Sequence, residues 1–307
     1  LPILQEDNTI KHETFDYLPA LYNTFNEILV NARDQVVRLQ QNKSKNPVTT
    51  IKVTINKETG LITIYNDGEG IDVAKHPTEK DKDGKPVMIP EMIFGHLLTS
   101  TNYEKDEKKI VGGKNGYGAK LTNIFSTYFK LETLDTGRGL RYIQEFKNNM
   151  KDRGKPRKIK SANKSYTKVS WIADFNRFGL TSYSEKMYQL MERRIYDIAG
   201  VTDKSLNVYY NGTLLKQKSF DRYCQLYLRD EKMIYEDIHT RWSLGVSIST
   251  NDKFEQISFV NGIATPKGGK HVDFITKKLI HMLSTHIEKK EKTKVKDAYI
   301  KNYLKVF

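Results

Sequence analysis

The sequence predicts an α+β protein in two units. Three observations lead there: a long segment of helical period near the start, several segments of strand period after it, and a length of 307 residues, which suits about two domains. Over residues 18–40 the apolar side chains Leu21, Phe25, Ile28, Leu29, Ala32, Val36 and Leu39 recur at helical spacing. Two strands follow, an alternating one at 51–55 and its return at 61–65, with a turn at 56–60 between them. Asn66-Asp67-Gly68-Glu69-Gly70 is then a loop at a strand end. Residues 76–86 are charged and rich in breakers, which predicts an exposed insertion. A short helix at 91–98 leads into Thr99-Ser100-Thr101-Asn102 and the charged run 104–109. Segments near 128–134, 140–147 and 166–173 read as strands, with the basic stretch 151–164 as a solvated connection. A helix at 184–199 and a strand at 206–210 complete the first unit. The second starts near residue 218, with strands around 242–249 and 255–260 and helices at about 271–287 and from 295 onward.

Composition narrows the class. A hydrophobic content of 38% and a charged content of 29% describe an ordinary soluble globular chain. No apolar run is long enough for a membrane span, and no signal peptide is visible. One cysteine, Cys224, excludes an internal disulfide framework and a cysteine-rich metal site; beside Tyr223 and Leu226 it reads as a packed small hydrophobe. The net charge of +14 favours a polyanionic partner, nucleic acid ahead of an anionic membrane. The chain starts at Leu1 without methionine and ends on an apolar segment, and we read it as a piece of something longer.

Four glycines between residues 112 and 118 carry the strongest chemical signal. Gly112, Gly113, Gly116 and Gly118 run into an apolar helical pattern at Leu121, Ile124 and Phe125. Glycines let a backbone turn tightly and approach a ligand, and a helix start offers unpaired N–H groups to an anion. The segment therefore reads as a phosphate cradle or, more simply, as a flexible loop. It is neither a P-loop, since Ala119-Lys120-Leu121 follows Gly118, nor a dinucleotide fingerprint, since Leu121 stands where the last glycine belongs.

Glu27, Asn31 and Asp34 sit at i, i+4 and i+7 of the first helix and form one polar stripe. The stripe is either a solvated face or a site in which a carboxylate orients water and a neutral amide oxygen ligates Mg²⁺. Asp67-Gly68-Glu69-Gly70 is either a turn or a place where Asn66 or Asp67 accepts from an adenine amino group. His96 and His271 lack ligand-spaced partners and do not read as a metal site. Trp171 and Trp242 lie in strand-like patterns and read as core.

Taken in order, these parts resemble the GHKL ATPase superfamily with its Bergerat nucleotide fold, and within it the ATPase region of eukaryotic-type type IIA DNA topoisomerases. The resemblance is carried by Glu27-Ile28-Leu29-Val30-Asn31-Ala32, Ile93-Phe94-Gly95, Leu97-Leu98-Thr99-Ser100 and Gly116-Tyr117-Gly118-Ala119-Lys120-Leu121 with Asn123-Ile124-Phe125-Ser126. It continues through Tyr196-Asp197-Ile198-Ala199-Gly200, Ile257-Ser258-Phe259-Val260-Asn261-Gly262-Ile263-Ala264-Thr265 and Lys267-Gly268-Gly269-Lys270-His271-Val272-Asp273. It implies a two-layer α/β sandwich over residues 1–217, followed at 218–307 by part of a ribosomal-protein-S5-like transducer.

The same resemblance implies roles. Glu27 is the general base for attack on the γ-phosphate of ATP, and Asn31 holds Mg²⁺. Asn66 helps bind the nucleotide, with Asp67 at the adenine. Ser100, Thr101 and Asn102 reach phosphate and ribose. Gly113, Lys114, Asn115, Gly116, Tyr117, Gly118, Ala119 and Lys120 wrap the triphosphate as a lid. Lys289, Lys290 and Lys292, with Lys294 and Lys296, form either a solvated turn or a DNA-contacting loop, and Lys267 and Lys270 could also face double-stranded DNA inside a homodimer. Glu288 and Glu291 interrupt that basic run. No membrane is implied, and the location is the nucleus of a cell or, for a virus, a host nucleus, cytoplasmic factory or virion.

Two other classes fit the first motifs: a GHKL chaperone or mismatch-repair-type ATPase, and a non-hydrolysing DNA-binding module. The family's later transducer lysine and its N-terminal arm fall outside this sequence. This chain is therefore expected to bind ATP analogues yet turn ATP over and dimerise poorly; a turnover rate equal to that of a chain extended past residue 307 would overturn that expectation.

Overall fold

The helical period of residues 18–40 folds as α1 (Pro19–Gln41), with Pro19 in its first turn, where a missing N–H leaves no bond unmade. The computed structural model describes residues 1–80, 83–96, 117–239 and 241–307. Ahead of α1, β1 (Pro2–Leu4) and β2 (Ile10–His12) pair antiparallel and contribute Ile3, Leu4 and Ile10 to the core.

β3 (Thr50–Ile55) and β4 (Leu61–Asp67) form the first hairpin, with Ile51 opposite Asn66 and Ile55 opposite Ile62. Strand alternation buries Ile51, Val53, Ile55, Ile62 and Ile64 on one face. The expected insertion at 76–86 is exposed but paired, as a ribbon of β5 (Lys75–Lys80) and β6 (Pro86–Met88). α2 (Ile89–Gly95) and α3 (Gly118–Ile124) follow.

β7 (Ser126–Asp135) pairs from Tyr128 onward with the whole of β8 (Leu140–Lys147). The basic stretch 151–164, expected as a plain connection, carries β9 (Asp152–Arg153) and β10 (Arg157–Lys160), both fully exposed on β8. An edge open to water tolerates such charged strands. β11 (Tyr166–Ala173) lies between β7 and β4. α4 (Glu185–Val201) starts at Ser184, whose hydroxyl accepts from the Met187 N–H at 3.2 Å. β12 (Asn207–Tyr210) and β13 (Thr213–Leu214) close the sheet.

Among the described residues this sheet has nine strands in the order β10-β8-β7-β11-β4-β3-β12-β13, with β9 beside β8. All its pairs are antiparallel except β12 on β3. The core lies between the sheet and α1, α3 and α4, where Phe25, Leu29, Phe129, Trp171, Met191 and Ile195 are fully buried. The opposite face is held by cross-strand pairs such as Tyr65 and Tyr166, stacked with centroids 5.5 Å apart.

The second unit begins with α5 (Phe220–Cys224), in which Cys224 is fully buried. β14 (Met233–His239), β15 (Trp242–Ile248) and β16 (Glu255–Gln256) come next, then the hairpin of β17 (Phe259–Val260) and β18 (Ile263–Ala264). α6 (Lys270–Glu291), α7 (Asp297–Asn302) and β19 (Leu304–Val306) finish the chain, and the second sheet runs β14-β15-β19-β16. Three expectations change here. The strand at 255–260 is two strands, broken at Ile257 and Ser258. The helix from 295 is only α7, because Leu304 and Val306 are buried between β15 and β16. Trp242 is 42% exposed, at the outer end of the β14–β15 hairpin among exposed neighbours, whereas Trp171 is core.

Among the described residues, one apolar core runs on past residue 217. Tyr223, Tyr227, Ile257 and Phe307 belong to the same apolar core as α4 and the large sheet. Gly200 permits this junction, since a Cβ there would lie 2.4 Å from Tyr223 Cβ. Gly200→Ala is expected to lower stability by about 1–3 kcal/mol, read as a lower urea midpoint; an unchanged midpoint would mean that α5 yields freely.

Candidate functional site

The polar stripe of α1 is withdrawn from water unevenly. Asn31 is exposed, Glu27 is half-buried, and Asp34 is buried with Arg33 Nη1 3.5 Å from its carboxylate. A plain solvated face would leave all three wet. Burial, helped by the charge of Asp34, holds the Glu27 carboxyl above the ordinary carboxylate range. A carboxylate so placed is a stronger proton acceptor than an exposed one.

Gly118 sets where that carboxylate rests. A Cβ on Gly118 would lie 2.0 Å from Glu27 Oε2 and 2.5 Å from its carboxyl carbon. The last glycine of the loop thus lets the Glu27 side chain lie directly on the main chain at the start of α3. Thr122, fully buried, fixes the approach: its hydroxyl faces the Thr24 carbonyl of α1 at 2.9 Å and the Gly118 carbonyl at 3.1 Å. Asn123 Nδ2 donates to the Phe94 carbonyl at 3.1 Å and ties α3 to α2.

The sequence pattern misjudges α3. Leu121, expected to begin its apolar face, is 43% exposed, while Ala119, Lys120, Thr122 and Asn123 are buried. In the sequence Thr122 has no expected part and Asn123 only a place in a motif, although two polar residues between Leu121 and Ile124 are an available signal. Lys120 is 1% exposed, and burial lowers the pKa of its ammonium group. Tyr117, half-buried, precedes α3, and its carbonyl accepts from the Leu121 N–H at 2.8 Å. Ser100, Thr101, Asn102, Gly113, Lys114, Asn115 and Gly116 lie outside the described residues.

At the end of β4 the two-residue period separates Asn66 from Asp67. Asn66 is buried on the face that carries Ile62 and Ile64, toward the helices. Asp67, expected at an adenine, points to the other face and is committed to the start of β3. Its Oδ1 accepts from the Thr49 and Thr50 N–H groups at 2.7 and 2.8 Å, and Oδ2 from the Thr49 hydroxyl at 2.5 Å. The loop glycines are closed against protein. Gly68, at φ +88°, packs on Val48, and a Cβ on Gly70 would lie 2.0 Å from the Leu134 carbonyl. Thr133 and Asp135 of β7 hold the same loop by accepting from the Ile71 and Val73 N–H groups at 2.9 and 3.0 Å.

The candidate DNA lysines occupy the two ends of α6. Lys267 and Lys270 are exposed around Gly268 and Gly269, whose φ values of +72° and +150° favour glycine. Lys289 and Lys290 lie in the last turn and Lys292 caps it in the left-handed conformation, where cations complement the helix dipole. A helix of this length separates the two groups by about 30 Å, so they form two patches.

A family model described as DNA gyrase B matches residues 206–305. The chain is 42% identical to the DNA topoisomerase 2 of Pisum sativum over 98% of its own length and 20% of the relative's. It is 41% identical, with a TM-score of 0.87, to the crystal structure of the ATPase region of Saccharomyces cerevisiae topoisomerase II bound to ICRF-187, covering 100% of this chain and 78% of that one. The chain belongs to the topoisomerase II ATPase family. It spans about one fifth of the length of the curated relatives it matches. This topoisomerase II ATPase chain also shares its fold with the 43K ATPase domain of Thermus thermophilus gyrase B, at a TM-score of 0.60 and 19% identity, covering 93% of this chain and 75% of that one.

Glu27 gives the topoisomerase II ATPase chain a pH-dependent stability. Its folded pKa is raised, so the stability it contributes is present below the ordinary value of 4.5 and is lost as pH rises through the folded value. Glu27→Gln is accordingly expected to melt above wild type at pH 8 and level with it below that window. Equal melting temperatures at pH 8 would show that the carboxylate is not strained by its burial.

Proposed function

We propose that this chain is the ATP-binding and ATP-hydrolysing gate of a type II DNA topoisomerase. The observation that carries the reading is the half-buried Glu27 carboxylate, raised in pKa and resting on Gly118 where the glycine loop enters α3. The triphosphate lies between α1 and that loop. Glu27 takes a proton from water as the water oxygen attacks the γ-phosphorus; the bond to the β–γ bridging oxygen breaks, and ADP leaves.

Asn66 takes the adenine side, with its Nδ2 anchored on the Asp67 carbonyl at 2.8 Å, while Asp67 holds the loop in shape. Ser100, Thr101 and Asn102 reach phosphate and ribose, and residues 113–120 wrap the triphosphate. Asn31 offers an exposed amide oxygen one turn beyond Glu27, a hard neutral donor that would suit Mg²⁺. The ion would supply charge neutralisation at the phosphates.

Residues 1–217 form the nucleotide unit and 218–307 the transducer side. Two copies close as a homodimer when ATP is bound. Lys267 and Lys270 at one end of α6, and Lys289, Lys290 and Lys292 at the other, meet duplex phosphates, and the whole protein passes one duplex through a break in another. Such contacts weaken with salt and ignore base sequence. Among the described residues no helix is long and apolar enough to cross a membrane, and the protein works where the DNA is, in a nucleus or a viral compartment. The family assignment and the site geometry support this reading.

ATP turnover by the full-length protein, with and without duplex DNA, tests it. Glu27→Gln is expected to lower turnover by at least about 100-fold while analogue binding persists. Retained turnover in that variant would sink the proposed role of Glu27, and turnover indifferent to DNA would sink the topoisomerase part.

A further inference from the structure

Two arginines from two helices close on one turn. β17 and β18 are joined by Asn261 and Gly262, both left-handed at φ +51° and +75°, as a two-residue hairpin turn requires. Arg33 of α1 donates from Nη1 to the Asn261 carbonyl at 3.0 Å. Arg194 of α4 donates from Nη2 to the Gly262 carbonyl at 2.9 Å. Both side chains are buried, at 8% and 2% exposure. A Cβ on Gly262 would lie 2.7 Å from Arg33 Nε, so the turn lies flat on the guanidinium.

Arg194 also reaches back to α1. Its Nε donates to Asn26 Oδ1 at 2.8 Å, beside Glu27, and its Nη1 lies 3.4 Å from Asp197. Burying two guanidiniums is costly even when they face Asp34 and Asp197, and an Asn-Gly turn forms without such a grip. The expense has a reason if the turn must keep a fixed position on α1. Past the turn the chain has little slack. Gln256 Nε2 donates to the Thr265 and Pro266 carbonyls at 3.1 and 3.0 Å, and Thr265 Oγ1 lies 3.2 Å from His271 Nε2 at the start of α6.

We infer that Arg33 and Arg194 are positioning residues. They hold the β17–β18 turn to the helix that carries Glu27 and Asn31, so ordering of α1 by a bound nucleoside triphosphate is passed to residues 259–264 and the start of α6. The inference rests on the nucleotide reading given above. It requires one gripped turn, since its two carbonyls are held from both helices at once.

Amide hydrogen exchange on this chain tests it, with and without a non-hydrolysable ATP analogue and Mg²⁺, in wild type, Arg33→Ala and Gly262→Ala. In wild type the analogue is expected to slow exchange by about tenfold in α1 and in residues 259–264. In Arg33→Ala the response of α1 persists and that of 259–264 disappears. Gly262→Ala disturbs the same contact from the turn's side and is expected to behave alike, which keeps the test open if Arg33→Ala does not fold. A hairpin that still responds in either folded variant overturns the inference, as does a wild-type hairpin that is silent while α1 responds. Silence everywhere, α1 included, overturns the nucleotide reading and the inference together.

Discussion

The site depends on one absent side chain. α1 and α3 come close enough for the Glu27 carboxylate to lie on a peptide only because residue 118 has no Cβ, and any larger residue would drive the carboxylate off. The contact fixes three things at once. It places the carboxylate where the glycine loop ends, it half-buries it, and it sets α3 against α1 at a distance that the Thr122 hydroxyl then locks. Burial beside Asp34 does the rest, because a charge partly stripped of water attracts protons more strongly. Geometry and basicity at Glu27 are therefore one property.

How much was legible in the sequence follows from which faces are buried. α1, β3 and β4 each have one dry face, so their periods are readable; β7, β8, β11 and α4 are dry on both sides in part, yet the ends of all seven fall within a few residues of expectation. β9 and β10 have no dry face, and nothing in Arg157 to Lys160 distinguishes a strand from a tether. β19 is three residues long and exists only because β15 and β16 leave it a slot. α3 inverts the usual rule, exposing Leu121 and burying Lys120, Thr122 and Asn123, because carbonyls of α1 and α2 wait for the Thr122 and Asn123 donors. In the site itself, Glu27 and Gly118 were visible as motif members. The commitment of Asp67 to Thr49 and Thr50, on the face opposite Asn66, was not, since it depends on knowing which face of β4 meets the helices.

Not every cation of the chain counts toward its net charge. Four that lie inside the molecule are matched by four carboxylates and add nothing to the +14 excess. Arg193 and Arg194 flank the fully buried Asp197, Arg33 faces Asp34, and Lys305 lies 3.0 Å from Glu255 and 3.9 Å from Glu231 at 7% exposure. These cations organise the junction between α1, α4 and the second unit rather than any outside polyanion. The exposed lysines at the two ends of α6 form separate clusters, each a local attraction with a short screened reach.

β12 is the strand of the large sheet that runs parallel to its neighbour, and this bears on the order of assembly. Its partner β3 lies about 150 residues earlier in the chain, and closing so long a loop costs about 3 kcal/mol more than closing the β3–β4 hairpin. The β3–β4 and β7–β8 hairpins can zip up locally, while β11 on β4 and β12 on β3 each close a long loop. β12 then hands the chain on to α5 and everything after it. In a newly made chain Glu27 and Gly118 both precede β12, so nothing in the connectivity keeps that pair waiting for β12 to join β3.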